Sequence, residues 1–515
     1  VVKLKNIKPI IMNRILELLA FILLLTAPVS AQKLHGVNWI TGSGQTYKIH
    51  FKDTAPAISP FNLNFQYYFD LGTSCISDTE GSFRLWCNGY RLMDSTGATV
   101  DGGDTVTESE LCKFQYGFSN YSQASLIIPF GNNEYGVVVA SATDSAFNSW
   151  FTPNPFGLFD LLQIHYVDMK LNNGNGKLVK TKTIMQKASL SRTQMMACRH
   201  ADGKSWWLLK QGHDSNIVYK FILTKDSIYE YGNQFFGLPA CGNVDILGQS
   251  MFSNNGKRYA TVVYGSNLLF YADFDRCTGL LSNPKVRPLP NHAKAPSIPV
   301  LDTLPGGLCF SPTDSFLYVA KEYNIYQLDL YEPDSNLAWY HVANMDTSYN
   351  AFMQWSCIYS ANDGKLYIGN WNGLGSAMSV ISNPNAKGAA CAFCPKCLRF
   401  PTQGSNNPPC MPNYALGKDT TVICWPMGLN ESGREEREAQ ECSVYPNPAQ
   451  TQLTIESEAF KKGLNSLRIF NLMGQCVLEE AFKTVSGKHT VSVQGLPSGV
   501  YMLKVNNMVR RVLIE

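Results

Sequence analysis

Beyond an apolar run near its N-terminus, no stretch of this 515-residue chain keeps a 3.6-residue hydrophobic period. Short runs rich in β-branched and aromatic residues alternate instead with clusters of Gly, Asn, Asp and Pro, the pattern of strands joined by turns. Six stretches share one layout: an apolar or Cys position, a turn of Asn, Asp, Gly or Ser, then a hydrophobic strand. They are Cys75 to Trp86, Ile128 to Val139, Cys198 to Leu209, Phe252 to Ala260, Phe310 to Val319 and Tyr359 to Ile368, with starts 53, 70, 54, 58 and 49 residues apart. Each reads as a β-hairpin followed by one or two further strands, as in Ile164 to Met169, Asn267 to Asp273 and Asn324 to Leu330. A four-stranded sheet in each repeat of about 50 residues is the signature of a propeller blade. One such sheet cannot bury both of its faces, so blades must stack and the ring must close to protect its last edge. The segment Val37 to Phe51 is placed to complete the final blade. The expected fold is all-β, with a propeller of six or seven blades over residues 33–425. Two stacked β-sandwich modules fit the same pattern less well.

At Glu431 to Glu441 the pattern stops in a charged, apolar-poor run, read as a solvated linker over residues 426–442. Residues 443–515 then hold about seven short strands, enough for a small Ig-like β-sandwich. At the other end, Lys3, Lys5, Lys8 and Arg14 precede the apolar run Ile15 to Ala27. Val29, Ser30 and Ala31 follow as small residues suited to cleavage. Residues 1–31 therefore read as a signal peptide, with Met12 an alternative start. The run is too short to span about 30 Å of hydrocarbon, so no transmembrane anchor is expected after its removal.

Composition narrows the function classes. Charged residues make up 16% of the chain, and Lys plus Arg exceeds Asp plus Glu only by 43 to 40, so there is no basic stripe for nucleic acid. Fifteen Cys in an exported chain read as disulfide partners with at least one left over. Cys391, Cys394 and Cys397, with Cys410 and Cys424, form the densest group. Their spacing suits Zn²⁺ or an iron–sulfur cluster, but after oxidative export disulfides are the stronger reading. Pro395, Pro401, Pro408, Pro409 and Pro412 mark this region as a loop in need of reinforcement. Cys198 and His200 resemble a nucleophile pair, yet they sit inside a blade repeat. Asp273 and Asp275 can supply two carboxylates for a glycosidase or a Ca²⁺ site, with Arg276 placed to neutralise them. Of the nine Trp (39, 86, 150, 206, 207, 339, 355, 371 and 425), most are expected between blades, and any exposed ones suit stacking on sugar rings. Metalloprotease, P-loop, nucleophile-elbow and dinucleotide motifs do not occur. The sequence names no catalytic residue, no metal ligand and no cofactor.

Tyr445 to Ala449, Ile469 to Gln475, Leu496 to Lys504 and Arg510 to Glu515 fall in an order and spacing that resembles the C-terminal sorting domain of type IX secretion (Por secretion) cargo. The resemblance implies export by the signal peptide, recognition of the folded tail by an outer-membrane translocon, and release or surface anchoring by a sortase-like peptidase, in bacteria of the Bacteroidetes group. It implies a sorting signal at Tyr445, Pro446, Asn447, Pro448, Gly474, Gly499, Tyr501 and Lys504. Pro446 and Pro448 are expected to hold the chain extended as it meets the first strand, and Gly474 and Gly499 to serve tight turns. More loosely, Ser74 to Gly81, Ala197 to Trp207, Asp273 to Gly279 and Pro384 to Cys391 resemble propeller-like regions of large secreted proteins of the same bacteria. The expected function is a secreted or cell-surface propeller that binds an extracellular protein or glycan. A polysaccharide hydrolase or lyase, or a purely structural surface protein, are the other readings.

Overall fold

The computed structural model describes residues 31–515 except 43–44, 52–54, 62, 64–70, 108, 116, 151–158, 214–216, 236–246, 296–297, 336, 346–353, 371–374, 422–423, 425–442, 459, 461–462, 472–475 and 507. Nearly all of the signal peptide and the whole charged linker thus lie outside the described residues, as does Gly474.

Each of the six repeated hairpins forms the first two strands of a blade, and the blades follow one another around a ring. Blade 2 is Ser74–Ser77, Phe83–Cys87 and Leu92–Asp94. Blade 3 is Ser125–Gly131, Glu134–Ser141, Phe159–Asp168 and the first half of the strand Lys177–Arg199. The second half of that strand opens blade 4, followed by Trp206–Gly212, Ile217–Leu223 and Ile228–Phe235. Blade 5 is Gly248–Phe252, Arg258–Val263, Leu268–Phe274 and Leu281–Pro288. Blade 6 is Pro305–Phe310, Phe316–Lys321, Asn324–Asp329 and Trp339–Asn344. Blade 7 is Trp355–Ser360, Leu366–Asn370, Ala377–Ile381 and Phe393–Arg399. All pairings within these blades are antiparallel, and the first strand of each packs on the first strand of the next.

The strand Lys177–Arg199 crosses from the rim of blade 3 to the axis of blade 4. Its first half pairs with Phe159–Asp168 and is largely exposed; its second pairs with Trp206–Gly212 and is buried. Register shifts and left-handed backbone at Lys187 and Gln194 bend it between the two roles.

Blade 1 closes the ring from both ends of the propeller region. Its outer strands Asn38–Thr41, Tyr47–His50 and Ala57–Pro60 come from the N-terminal side, as the sequence predicts. Its innermost position is taken by residues 405–411, wedged between blade 7 and blade 2. Thr41 Oγ1 donates to Asn407 O (2.9 Å) and Asn370 N to Asn406 O (3.2 Å). Ser356 Oγ donates to Asn407 Oδ1, and Cys410 N to Thr73 O (2.7 Å). Residues 405–411 are buried throughout. The stretch holding Pro408 and Pro409 is therefore not a reinforced loop but the axial segment that closes a seven-blade ring. Pro408 and Pro409 have no N–H to offer a ladder, so the segment is held by side chains and single backbone bonds.

The turns explain why the repeat is visible at all. Asp78 Oδ1 accepts from Glu80 N and Ser82 N, Asp202 Oδ1 from Lys204 N and Ser205 N, and Asp363 Oδ1 from Lys365 N. In blade 3, Asn132 and Asn133 both sit at φ near +55° (53° and 60°), as a primed hairpin turn requires. Between blades the indoles act as staples. Trp206 Nε1 donates to Pro129 O (3.1 Å) of blade 3, and Trp207 Nε1 to Arg276 O (2.7 Å) of blade 5. Trp39, Trp86, Trp206, Trp207 and Trp355 are all buried, and Trp339 is half-buried at the rim. Trp371 and Trp425 and the side chain of Trp150 are outside the described residues.

The tail forms two sheets around a core of its own. Ser443–Tyr445, Gln452–Glu456 and Lys488–Ser492 make one; Cys476–Phe482, Asn465–Phe470, Gly499–Val505 and Met508–Ile514 make the other, in those spatial orders. Leu453, Ile455, Leu467, Ile469, Leu503 and Val512 fill the space between them. This is the small sandwich expected from the strand count.

Candidate functional site

The axis of the ring is filled. Gln123 Nε2 donates to Ser250 O (2.8 Å) and to Tyr359 Oη (3.2 Å), while its Oε1 accepts from Ser250 N (2.8 Å). Gln249 Nε2 donates to Ile358 O (2.8 Å), and its Oε1 accepts from Leu308 N (3.1 Å) and Ile358 N (3.0 Å). Two amides thus satisfy backbone groups of blades 5, 6 and 7 that no neighbouring strand reaches. Cys410 lies beside them, its thiol pushed up to about 11 by burial.

A depression of about 410 Å³ lies on the face that carries the first hairpin turn of each blade. Phe252 and Phe310 line one wall, Tyr359 and Asn362 a second, and Met411 and Asn413 a third. Residues 412–419 leave the axis and cross this face as a strap. Asn413 Nδ2 donates to Asn254 O (2.9 Å), and Tyr414 Oη to Ile127 O (2.8 Å). The Tyr414 ring also packs edge-on against Trp206 and His35. The depression therefore has rigid walls of strand and strap. Its lining offers aromatic and aliphatic surface with three Asn amides, and it contains no Asp or Glu.

The carboxylates Asp273 and Asp275 border a second, more open cleft of about 450 Å³ at the rim, with Lys257, Arg258, Tyr331 and Asp419. Asp275 is spent on its own turn, accepting from Cys277 N (2.8 Å) and Thr278 Oγ1 (2.8 Å). Asp273 accepts from Asn283 Nδ2 (2.9 Å), with Arg258 Nε at 3.9 Å. Hydrogen bonds from Thr421 hold Asp419 below the usual carboxylate range. Arg276 does not neutralise the aspartates. Its guanidinium turns inward and donates to Arg199 O (2.8 Å), His200 O (3.3 Å) and Gly417 O (2.5 Å), tying blades 4 and 5 to the strap. A guanidinium that joins carbonyls from a blade and the strap is better used there than on a solvated carboxylate.

Cys198 and His200 do not form a nucleophile pair. Cys198 is buried and its thiol is pushed up to about 12. His200 is out of the strand, its Nδ1 accepting from Asp202 N (3.1 Å) and its Nε2 facing Cys277 O and Cys424 Sγ. Burial raises the Asp202 carboxyl, but bonds from His200, Lys204 N and Ser205 outweigh it and hold the group well below its usual range.

The cysteines need a correction. Cys277–Cys424 and Cys394–Cys397 are disulfides, but nine further described cysteines are thiols, eight of them buried. Cys391 and Cys410, grouped with the bonded ones by sequence spacing, are two of the eight. They behave as small apolar core residues.

Sequence reasoning missed Asp302, in the connection that leads into blade 6, and Glu322, in the turn between that blade's second and third strands. Burial raises both carboxyls. Asp302 Oδ2 accepts from Tyr323 N (2.9 Å) and Asn324 Nδ2 (3.0 Å); Glu322 Oε1 accepts from Tyr264 Oη (2.8 Å). Neither borders the depression or the rim cleft. No local motif announces them, because their partners lie elsewhere in the chain, Tyr264 in blade 5 for Glu322 and Tyr323 and Asn324 in blade 6 for Asp302.

In the tail, Asn447 and Ala449 clip the last strand in place. Asn447 Oδ1 accepts from Leu513 N (2.8 Å), Ala449 N donates to Leu513 O (2.8 Å), and Glu515 N donates to Ala449 O (2.9 Å). Pro446 and Pro448 stand after the strand Ser443–Tyr445, not before it, and lead into Gln452–Glu456. Tyr445 is exposed, its hydroxyl donating to Glu456 Oε2 (2.8 Å). Tyr501 is buried and donates to Pro497 O (2.6 Å), the geometry of a tyrosine corner. Gly499 opens its strand without left-handed backbone, and a Cβ there meets nothing nearer than Tyr501 Cε2 at 3.8 Å, so no tight turn depends on it. Lys504 pairs across the sheet with Arg468 and Val509.

No curated protein matches the chain. Solved structures that resemble it include a putative 6-phosphogluconolactonase from Bacteroides uniformis, 10% identical, with 88% of this chain and 100% of that one covered at a TM-score of 0.35. The periplasmic gluconolactonase of Pseudomonas aeruginosa is 12% identical, with coverage of 79% and 96% and a TM-score of 0.36. A protein from Lactobacillus plantarum is 11% identical, with coverage of 88% and 98% and the same score. Such distant likenesses carry no argument, and the propeller rests on its own strand pairing. Residues 443–514 match the secretion system C-terminal sorting domain, the stretch that forms the two-sheet tail. The chain is therefore type IX secretion cargo, a β-propeller sent to the cell surface or the surrounding medium by its C-terminal sorting domain.

Proposed function

We propose that the exported propeller is a binding protein and that the depression on its hairpin face takes a neutral extracellular glycan or an uncharged protein segment. The observation that supports this reading is the lining. Phe252, Phe310 and Tyr359 give the depression an apolar backing, each no more than 5% exposed, and Asn254, Asn362 and Asn413 line it with carboxamides, of which Asn254 and Asn413 also bond within the protein; no carboxylate is among the lining residues. Aromatic surface with amide groups suits sugar hydroxyls and peptide bonds alike. A hydrolase or lyase needs two carboxylates about 5 to 10 Å apart at the scissile bond, one of them a proton donor. The aspartates of the rim cleft are committed to turns or local partners, which favours binding over hydrolysis.

The test uses the secreted protein on glycan arrays and in pull-downs from culture medium, beside an Asn362→Trp variant that fills the depression. Retained ligand, weakened at least about tenfold by the variant at unchanged Tm, supports the reading. Release of new reducing or unsaturated ends from a polysaccharide overturns it.

The sorting reading has its own test. The propeller occupies residues 33–425 behind a signal peptide at 1–31, and 426–442 link it to the tail at 443–515. The translocon reads the tail through Tyr445, Pro446, Asn447, Pro448, Gly474, Gly499, Tyr501 and Lys504, and a sortase-like peptidase then processes it in a bacterium of the Bacteroidetes group. Deleting 443–515 should strand the protein in the periplasm. Arrival of the truncated form outside the cell defeats this proposal and leaves the ligand reading untouched.

A further inference from the structure

Most sulfur in this ring is out of reach. Eight of the described thiols are buried, and the Cys277–Cys424 bridge spans 147 residues beside the buried His200. Cys394–Cys397 differs on each count. It closes a loop of only three residues' separation, so it adds little constraint to the unfolded chain. It also lies on Phe393–Arg399, the outermost strand of blade 7, which pairs only with Ala377–Ile381 among the described strands. Cys394 faces Val380 in the ladder and Leu398 faces Met378, so Pro395, Lys396 and Cys397 stand opposite Ser379 alone. That bulge, with Lys396 in left-handed backbone, turns Cys397 to solvent. Lys396 and Arg399 flank the exposed sulfur, and the chain has no Asp or Glu from residue 383 to residue 418. The two cations beside Cys397 in sequence favour its thiolate whenever the bond opens.

We propose that Cys394–Cys397 is a thiol–disulfide exchange site that takes two electrons from a thiol donor outside the cytoplasm. The donor thiolate attacks Cys397 Sγ, the S–S bond breaks, and Cys394 leaves as a thiolate that takes up a proton. A second donor thiolate then attacks the donor sulfur of the mixed disulfide and releases Cys397. Two donor thiols become one disulfide, and the protein gains two thiols. The exposed sulfur is the one attacked, because an incoming thiolate must approach in line with the bond it breaks.

The experiment titrates the full chain with reduced glutathione or with reduced thioredoxin, traps thiols by alkylation, and locates them by peptide mass spectrometry. Cys394–Cys397 should open at least about tenfold faster than Cys277–Cys424 with Tm unchanged, and in Cys394→Ser the Cys397 thiolate should form a mixed disulfide when oxidised glutathione is supplied, releasing one reduced glutathione. Opening by micromolar thioredoxin supports the site with a protein donor. Opening only by millimolar glutathione supports it with a small-thiol donor. If the pair opens only together with Cys277–Cys424, or only as the ring unfolds, the proposal is overturned.

Discussion

The ring and the tail are both built from short antiparallel strands, yet they bury them differently. In the ring, Gly248–Phe252, Pro305–Phe310, Phe316–Lys321 and Leu366–Asn370 are buried at every position. Each blade is sandwiched between two others, so both faces of its inner strands are interior. In the tail, Gln452–Glu456 and Asn465–Phe470 alternate buried with exposed or half-buried positions, because each sheet has one face in water. The polar groups follow suit. The ring hides amides at its axis, whereas the tail wears its pairs outside: Arg468 with Glu479, Lys488 with Glu456 and His489 with Glu480. A doubly covered sheet has to solve its polar problem internally; a half-covered one leaves it to solvent.

The sharpest way to break this contrast is to remove an interblade indole. Trp207 is fully buried against Tyr231 and Phe274, and its Nε1 donates to Arg276 O. Trp207→Ala should cost the ring about 3–5 kcal/mol. In calorimetry of the full chain, the ring transition should fall by several degrees while the tail transition stays where it was. A shift of both transitions together would mean that the two regions do not melt as separate units.

The same difference in burial decides what the sequence discloses. The six hairpins were legible because turn chemistry is local: Asp78, Asp202, Asp363 and the Asn132–Asn133 pair announce themselves whatever surrounds them. The tail was legible by its alternation and by motifs that clip one strand to another, such as Asn447 to Leu513. The axial segment of blade 1 was not. Asn406, Asn407, Pro408, Pro409 and Pro412 read as a loop in any local window, and only closure of the ring makes that stretch interior. The inward turn of Arg276 and the buried Asp302 and Glu322 were hidden for the same reason. Their partners are carbonyls, amides and a hydroxyl on other turns or blades, and nothing in a strand's own pattern points to them.

A second break targets the axis. Gln249→Ala strips Leu308 N, Ile358 N and Ile358 O of their partner in a site without room for bulk water. Each unpaired buried group costs about 1–3 kcal/mol, so a loss of about 3 kcal/mol is expected in denaturant unfolding. Gln249→Glu should be no rescue, since it replaces one donor with a second acceptor facing Ile358 O. Full rescue by Glu would show that volume, not hydrogen bonding, is what the axis needs.

Acid offers a third. His165 is fully buried in blade 3, and burial pushes its pKa down to about 4. Between pH 6.5 and about 4 the unfolded chain takes a proton that the folded ring refuses, so stability falls as pH falls through that window. The full effect is about 3 kcal/mol, at roughly 1.4 kcal/mol for each pH unit. His165→Phe should flatten this limb of the ring's stability curve and leave neutral-pH stability nearly unchanged. An unaltered limb would place the acid sensitivity elsewhere.

The smallest effect sharpens the comparison from the tail's side. Arg468 and Glu479 pair across neighbouring strands, with Arg468 Nε 2.7 Å from Glu479 Oε1 and both side chains about half exposed. A solvated pair gains little over its two hydrated halves, so Arg468→Ala should move the tail transition by no more than about 0.5 kcal/mol. What remains of that effect should vanish in 1 M salt, where the screening length falls to about 3 Å. The axial bonds of Gln249 involve no ions and lie beyond the reach of salt, so the penalty of Gln249→Ala should persist in the same buffer. If high salt erased both effects alike, the division between an internally satisfied ring and a solvent-satisfied tail would not hold.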